Sequence, residues 1–149
     1  MQIYREAREI QLLSGNLHQW REGYPSEETV RSDIEKGYCH VVVVDGEPAG
    51  AFAFIPGEDP TYKYIEGGAW KDDEKAYATI HRLGSLKGSH GVAEACFDWC
   101  SRQIKNLRVD THEDNAIMRH CIAKAGFEYC GIIYLLNGDP RLAYQKIQL

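Results

Sequence analysis

The sequence predicts an α/β domain built on a mixed sheet, and three observations carry that prediction. Two pairs of β-prone runs are joined by turn signals, Asp45-Gly46 and Asn137-Gly138-Asp139-Pro140, and read as hairpins. Between them, strand, glycine loop, helix, strand and helix follow one another, the order of a βαβα unit. The chain has 149 residues, 44% hydrophobic and 26% charged, which suits one domain whose core needs neither disulfide nor metal.

Ile3 and Tyr4 are expected to begin a short strand. Ile10, Leu13, Leu17 and Trp20 then recur at helical spacing, interrupted by Gly15. A second helix starts at Pro25 and Ser26, carries Glu27 and Glu28 in its first turn and stops at Lys36-Gly37. Tyr38–Val44 and Ala49–Ile55 form the first hairpin, and no element is assigned within Pro56–Glu74. Tyr77–Leu86 is a strand, Lys87–Gly91 a loop, and Val92–Ile104 a helix with Cys96, Phe97 and Cys100 on one side. Leu107–Thr111 is the next strand. Asp114 is expected to cap a helix that closes at Lys124 and Gly126, and Tyr129–Leu136 with Arg141–Ile147 make the last hairpin.

Seventeen Lys and Arg against twenty-two Asp and Glu leave a formal charge of -5, which argues against general nucleic-acid binding. No apolar run is long enough to span a membrane, and the first ten residues are too charged for a secretory signal, so a cytoplasmic protein is expected, with no membrane partner. The five cysteines are odd in number and lack a CxxC pair, which reads as buried, reduced thiols.

One segment carries a nameable mechanism. In Lys87-Gly88-Ser89-His90-Gly91-Val92-Ala93 a strand hands over to a helix through two glycines, so backbone N–H groups crowd together at a helix N-terminus, a setting for a pyrophosphate. The segment lacks both the G-K-[ST] ending of a P-loop and the order of a dinucleotide fingerprint.

From about Tyr77 to Ile147 the chain resembles the GNAT superfamily of acyl-CoA-dependent N-acyltransferases. Gly91 and Ala93 match the fourth and sixth positions of that family's acyl-CoA loop, while Gly88 stands where the family has Arg or Gln. Asn115, then Ala125-Gly126-Phe127, then Ile132-Ile133-Tyr134 match its second signature. The resemblance implies a mostly antiparallel central sheet flanked by about four helices, and acetyl-CoA as co-substrate. It assigns the main chain of Leu83 and Ser85, with Gly84 between them, to the pantetheine arm. The backbone of Lys87, Gly88, Ser89, His90, Gly91, Val92 and Ala93 goes to the pyrophosphate, and Asn115 to the CoA arm.

The family often uses a Tyr four residues before the Gly of Gly-Phe to protonate the leaving thiolate; that position is Ile122. A lysine-like amine of pKa about 10.4 is neutral in roughly one molecule in 2,500 at pH 7, a barrier of about 4.6 kcal/mol, against about 1 kcal/mol for an α-amine. A base therefore matters, and His81 and His112 are the candidates, since imidazole titrates near the working pH. His81 is expected to share a strand face with Tyr77, Thr79 and Leu83, and His112 to point the same way as Asp110 and pair with it. Trp20, Tyr24, Trp70 and Tyr77 lie in or beside the segments that line the acceptor cleft in this family, although core packing accounts for most of them. Asp110, His112 and Glu113 gain no further ligand by spacing, so no metal is expected. The expected activity is acetyl transfer to a small amine or amino-acid-like acceptor in a ternary complex. The rival is a non-catalytic CoA-binding or ligand-sensing module, prompted by Gly88 and Ile122. A homodimer is left open.

Overall fold

The computed structural model describes residues 1–21 and 23–148. Helices α1 (Gln2–Leu13) and α2 (Glu27–Glu35) precede a hairpin of β1 (Cys39–Val44) and β2 (Glu47–Pro56). Strand β3 (Ala78–Ser85), α3 (Val92–Gln103), β4 (Asn106–Thr111) and α4 (Ala116–Lys124) follow, then a hairpin of β5 (Glu128–Tyr134) and β6 (Pro140–Ile147). The strands make one sheet in the order β1-β2-β3-β4-β6-β5. Every neighbouring pair is antiparallel except β3 with β4. This is the mixed, mostly antiparallel sheet with four helices that the resemblance implied.

Local chemistry explains most boundaries. Asp45 and Gly46 both take positive φ, the geometry of a tight hairpin turn. Ser26 caps α2 by accepting from the Thr29 amide at 3.1 Å. The cap of α4 is Asn115, not Asp114: its Oδ1 accepts from the Met118 amide at 3.1 Å. A cap must reach the N–H three positions on, and with Ala116 as first helical residue only Asn115 is so placed.

The chain begins as helix rather than strand. Ile3 and Tyr4 lie in α1, where Tyr4 and Ala7, one turn apart, are buried against Trp20 and Ala51. That burial outweighs the β preference of two residues. The helix ends at Leu13, so Leu17 and Trp20 belong to the connection that follows; Leu13 and Leu17 face solvent while Trp20 folds back under α1.

Two layers cover the sheet. On one face α3 and α4 bury Ile80, Cys96, Phe97, Leu107, Ile122 and Phe127. On the other, the segment left unassigned by the sequence packs Tyr62 and Trp70 against Tyr77, Ile133 and Ala143. It contains a 3-10 turn at Pro60–Tyr62 and a bridge from Glu66 to Ile132. Buried Gln145 holds it by accepting from the Lys71 and Asp72 amides and donating to the Asp72 carbonyl. Arg108 sits between the rings of Trp70 and Tyr77, 4.0 and 3.8 Å from their centroids. Cation–π contact thus occurs inside the protein, with Trp70 and Tyr77 as core residues. All five cysteines are free thiols, with Cys96, Cys100 and Cys130 buried. Among the described residues, no helix is long and apolar enough to cross a membrane.

Candidate active site

The site begins where two strands stop pairing. β3 and β4 are in register only at Ala78–Leu107, Thr79–Arg108 and Ile80–Val109. From His81 onward, the side of β3 turned toward β4 has no strand beside it. On its other side, the register with β2 passes from Ala53–His81 to Ala51–Gly84, so Arg82 and Leu83 stand against Phe52 alone. This is a bulge, and Arg82 takes φ +53° within it.

A buried ion pair holds that conformation. Arg82 donates from Nε and Nη2 to the two oxygens of Asp33 on α2, both at 2.7 Å, and from Nη1 to the Tyr24 hydroxyl at 3.3 Å. The added residue also changes which side chains share a face. Tyr77 and His81 share a face, as expected, and lie beside Tyr62, but Leu83 packs with Ile80 in the core under α3. A one-residue bulge reverses the alternation beyond it.

A cleft of about 820 Å³ opens at the parting, lined by the bulged strand from Ile80 to Ser85, the glycine loop, the start of α4 and the β5–β6 turn. Leu83, Gly84, Ser85, Ser89, His90, Gly91, Val92, Ala93 and Asn115 all border it; Lys87 and Gly88 are not among its lining residues. Gly91 caps α3 with φ +78° and no side-chain cap bond, a conformation open to glycine. Gly50 lets α3 approach this closely, because a Cβ there would collide with Val92 and sit 2.8 Å from the Gly84 carbonyl. Among the described residues, the amides of Gly88, His90, Gly91, Val92 and Ala93 have no hydrogen-bond acceptor. Two amides expected to be open are taken: Lys87 donates to Glu6 at 3.1 Å and Ser89 to the Leu86 carbonyl at 3.2 Å. The Lys87 ammonium pairs with Glu9, so its charge is met by α1. The amides left open, gathered at a helix N-terminus, fit an anionic group such as a pyrophosphate.

His81 faces the cleft with a partner that the sequence did not supply. Its Nε2 lies 2.8 Å from Asp59 Oδ2, and both side chains are largely buried. Burial raises the Asp59 carboxyl, but hydrogen bonds from His81 and from the Thr61 amide and hydroxyl outweigh it and hold the group at about 2. Ionised Asp59 can only accept, so Nε2 carries the proton of this bond, and in a neutral ring Nδ1 is the acceptor nitrogen. Next to this pair, the buried Tyr62 hydroxyl donates to Asp110 Oδ2 at 2.6 Å. Burial first, and then the Asp110 charge, push the Tyr62 phenol well above its ordinary range.

His112 is elsewhere. It borders a second cavity of about 390 Å³ and does not pair with Asp110. Its Nδ1 accepts from the Asp114 amide at 3.0 Å, and burial, with Arg141 nearby, pushes the ring below its usual value. The chain turns after Thr111 to enter α4, which carries this ring away from the strand face. Asn115 borders the cleft with its side chain committed, Oδ1 to the cap and Nδ2 to Gln19 at 3.0 Å. Ile122 is fully buried in the core under α3 and α4, so its position does not reach the cleft. Among the described residues, no His, Cys, Asp or Glu cluster is grouped to hold a metal.

Sequence reasoning missed Asp59, Arg82 and Arg141, all of which border the cleft. Asp59-Pro60-Thr61 did carry a signal, a capping acid followed by proline at a first helical position. Arg141 stands two residues before Ala143 on one strand face, a charge at a core-facing position.

No protein-family model matches the sequence, and no curated protein does. Solved structures do. The chain is similar to a GNAT-family acetyltransferase from Streptococcus agalactiae, with 34% identity over 99% of this chain and 87% of that one and a TM-score of 0.89. A GNAT-family acetyltransferase from Listeria monocytogenes is 17% identical over 98% of this chain and 86% of that one, at a TM-score of 0.68. A Bacillus subtilis acetyltransferase in complex with CoA shares the fold at 14% identity and a TM-score of 0.58, covering 85% of this chain and 86% of that one.

Proposed function

Because the chain belongs to the GNAT family of acetyltransferases, we propose that it transfers the acetyl group of acetyl-CoA directly to the amine of a small-molecule or amino-acid-like acceptor, with both substrates bound together. The observation that carries this reading is the cleft itself. Open amides at the start of α3 lie at one end of it, and His81 with Asp59 lies on its wall where β3 leaves β4. The CoA bound by the Bacillus subtilis structure supports a thioester carrier as the donor.

Acetyl-CoA supplies an acetyl group activated as a thioester. The amides of Gly88 and of His90 through Ala93 hold its pyrophosphate, and the unpaired side of β3 from His81 to Ser85 receives the pantetheine arm. His81 takes the proton from the acceptor amine on Nδ1, while Asp59 fixes the ring and stabilises the imidazolium that forms. A thiol of pKa about 8.5 leaves without a dedicated acid, which is consistent with Ile122 in the core.

Calorimetry with purified protein reads the donor site, and an absence of acetyl-CoA binding would remove the proposal. Thiol release on a panel of amines then reads the chemistry. His81→Gln is expected to lower kcat/KM by about 10²- to 10⁴-fold and to abolish the acidic limb of the pH–rate profile. His112→Gln should remain within about threefold of the parent. An unchanged profile for His81→Gln would clear that residue of the base role.

A further inference from the structure

We propose that Arg141 is a carboxylate subsite, so that the preferred acceptor is an amino acid or another amine bearing a carboxylate; this rests on the acetyl-transfer reading above. Three arginines are buried or largely buried in or beside the sheet, and they differ in how their charge is met. Arg82 is gripped by both oxygens of Asp33. Arg108 lies between two aromatic rings and reaches the Asp73 carboxylate at 3.1 Å. Arg141 is only 4% exposed, yet among the described residues it donates only to the carbonyls of Pro140 and Gln19, at 2.8 and 3.0 Å.

A guanidinium has five N–H donors, so three of those on Arg141 have no acceptor among the described residues. None of its nitrogens is among the sealed, unpartnered atoms of the interior, and the side chain borders both cavities. The nearby acids act on it through space and not by a direct bond: Asp139 pairs with Arg21 at 2.9 Å, and Asp110 accepts from Tyr62 on Oδ2. A buried guanidinium with open donors is unfavourable, and an anion entering the cleft would fill them.

The neighbours say which anion. Asp110 opposes Ala143 in the β4–β6 ladder, so Asp110 and Arg141 are diagonal neighbours on one face. Asp110 Oδ1 has no donor among the described residues. His81 stands on the next strand over, on the same cavity wall. A guanidinium beside a carboxylate matches a zwitterion, with the acceptor carboxylate on the Arg141 fork and its ammonium toward Asp110, within reach of the His81 ring. The Asp110 charge disfavours a doubly charged phosphate at this place.

The test compares amino acids with their C-terminal amides and their decarboxylated amines, measuring thiol release by the parent and by Arg141→Met and Arg141→Lys. Acetyl-CoA affinity and thermal melting of each variant report on the donor site and the fold. In the parent, kcat/KM should favour the carboxylate form of at least one acceptor by tenfold or more, mainly through KM. Arg141→Met should erase that preference, and Arg141→Lys, which keeps a charge but not the fork, should retain part of it. Amides of Asp and Glu that keep the preference would assign the side-chain carboxylate to the subsite instead of the α-carboxylate. Equal rates for acids and amides in the parent, or an undiminished preference in a folded Arg141→Met, would overturn the proposal. Loss of acetyl-CoA binding in the parent would instead defeat the acetyl-transfer reading. If no amine turns over, calorimetric binding of the same acids decides: tighter binding by the parent than by either variant supports the subsite, and equal or no binding refutes it.

Discussion

Replacing Asp59 by Asn tests the electrostatics of the proposed base through stability as well as rate. The carboxylate accepts from His81 Nε2 at 2.8 Å, from the Thr61 amide at 2.9 Å and from the Thr61 hydroxyl at 2.7 Å. Burial opposes the charge, but these donors lower the carboxyl from 3.8 to about 2. A carboxyl whose pKa falls on folding binds more protons in the unfolded chain, so its contribution is complete above pH 3.8 and is lost as the pH falls toward 2. At about 1.4 kcal/mol per pH unit the shift amounts to about 2 kcal/mol at pH 7 and about 1 kcal/mol at pH 3. An Asn oxygen can still accept from Thr61, so the substitution removes chiefly the charge. Urea unfolding followed by tryptophan fluorescence should find Asp59→Asn less stable by about 2 kcal/mol at pH 7, with the gap halved at pH 3. An equal gap at both pH values would refute the charge account and assign the loss to packing. In the transfer assay the same variant should lower kcat with little change in acetyl-CoA affinity.

Arg82→Met leaves Asp33 buried without its partner and should cost about 3–5 kcal/mol, read as a lower urea midpoint. Asp33→Leu combined with Arg82→Met should recover most of that loss; a double variant as unstable as the single one would show that the pair is not what holds the bulge. Gly50→Ala inserts a Cβ against Val92 and the Gly84 carbonyl, and should lower stability by about 1–3 kcal/mol and weaken acetyl-CoA binding by displacing the start of α3. Adding Val92→Ala should relieve part of both effects in melting and calorimetry, and unchanged affinity in Gly50→Ala would separate α3 placement from donor binding.

Features set by neighbours in sequence were legible, and features set across the sheet were not. Asp45-Gly46, the Ser26 cap and the glycine at the head of α3 follow from conformational preferences of one or two residues. Placing the α4 cap on Asp114 instead of Asn115 was a one-residue error of the kind that only the geometry of the first turn settles. The bulge at Arg82 was hidden because its cause, Asp33, is 49 residues away. Asp59 was hidden because its segment owes its path to Gln145 and Arg108, buried polar groups that bond backbone atoms of Lys71 and Asp72 from distant strands. A polar stretch with scattered aromatics resembles an open loop until those anchors are known.

The bulge also accounts for how one short strand can serve both substrates of the proposed reaction. Regular alternation would put His81 and Leu83 on one face and compel the base and the donor-facing backbone to compete for it. One added residue turns Leu83 into the core under α3 while His81 stays beside Tyr62 and Asp59. The ladder with β4 ends at the same place, so the gap proposed to admit the pantetheine arm begins at the proposed base, His81. Because β4 stays paired with β6 through Thr111, the far wall of that gap, with Asp110 and Arg141, is held in place as β3 moves away. The Asp33–Arg82 pair, which holds the bulge, therefore sets the distance between the proposed base and the proposed carboxylate subsite.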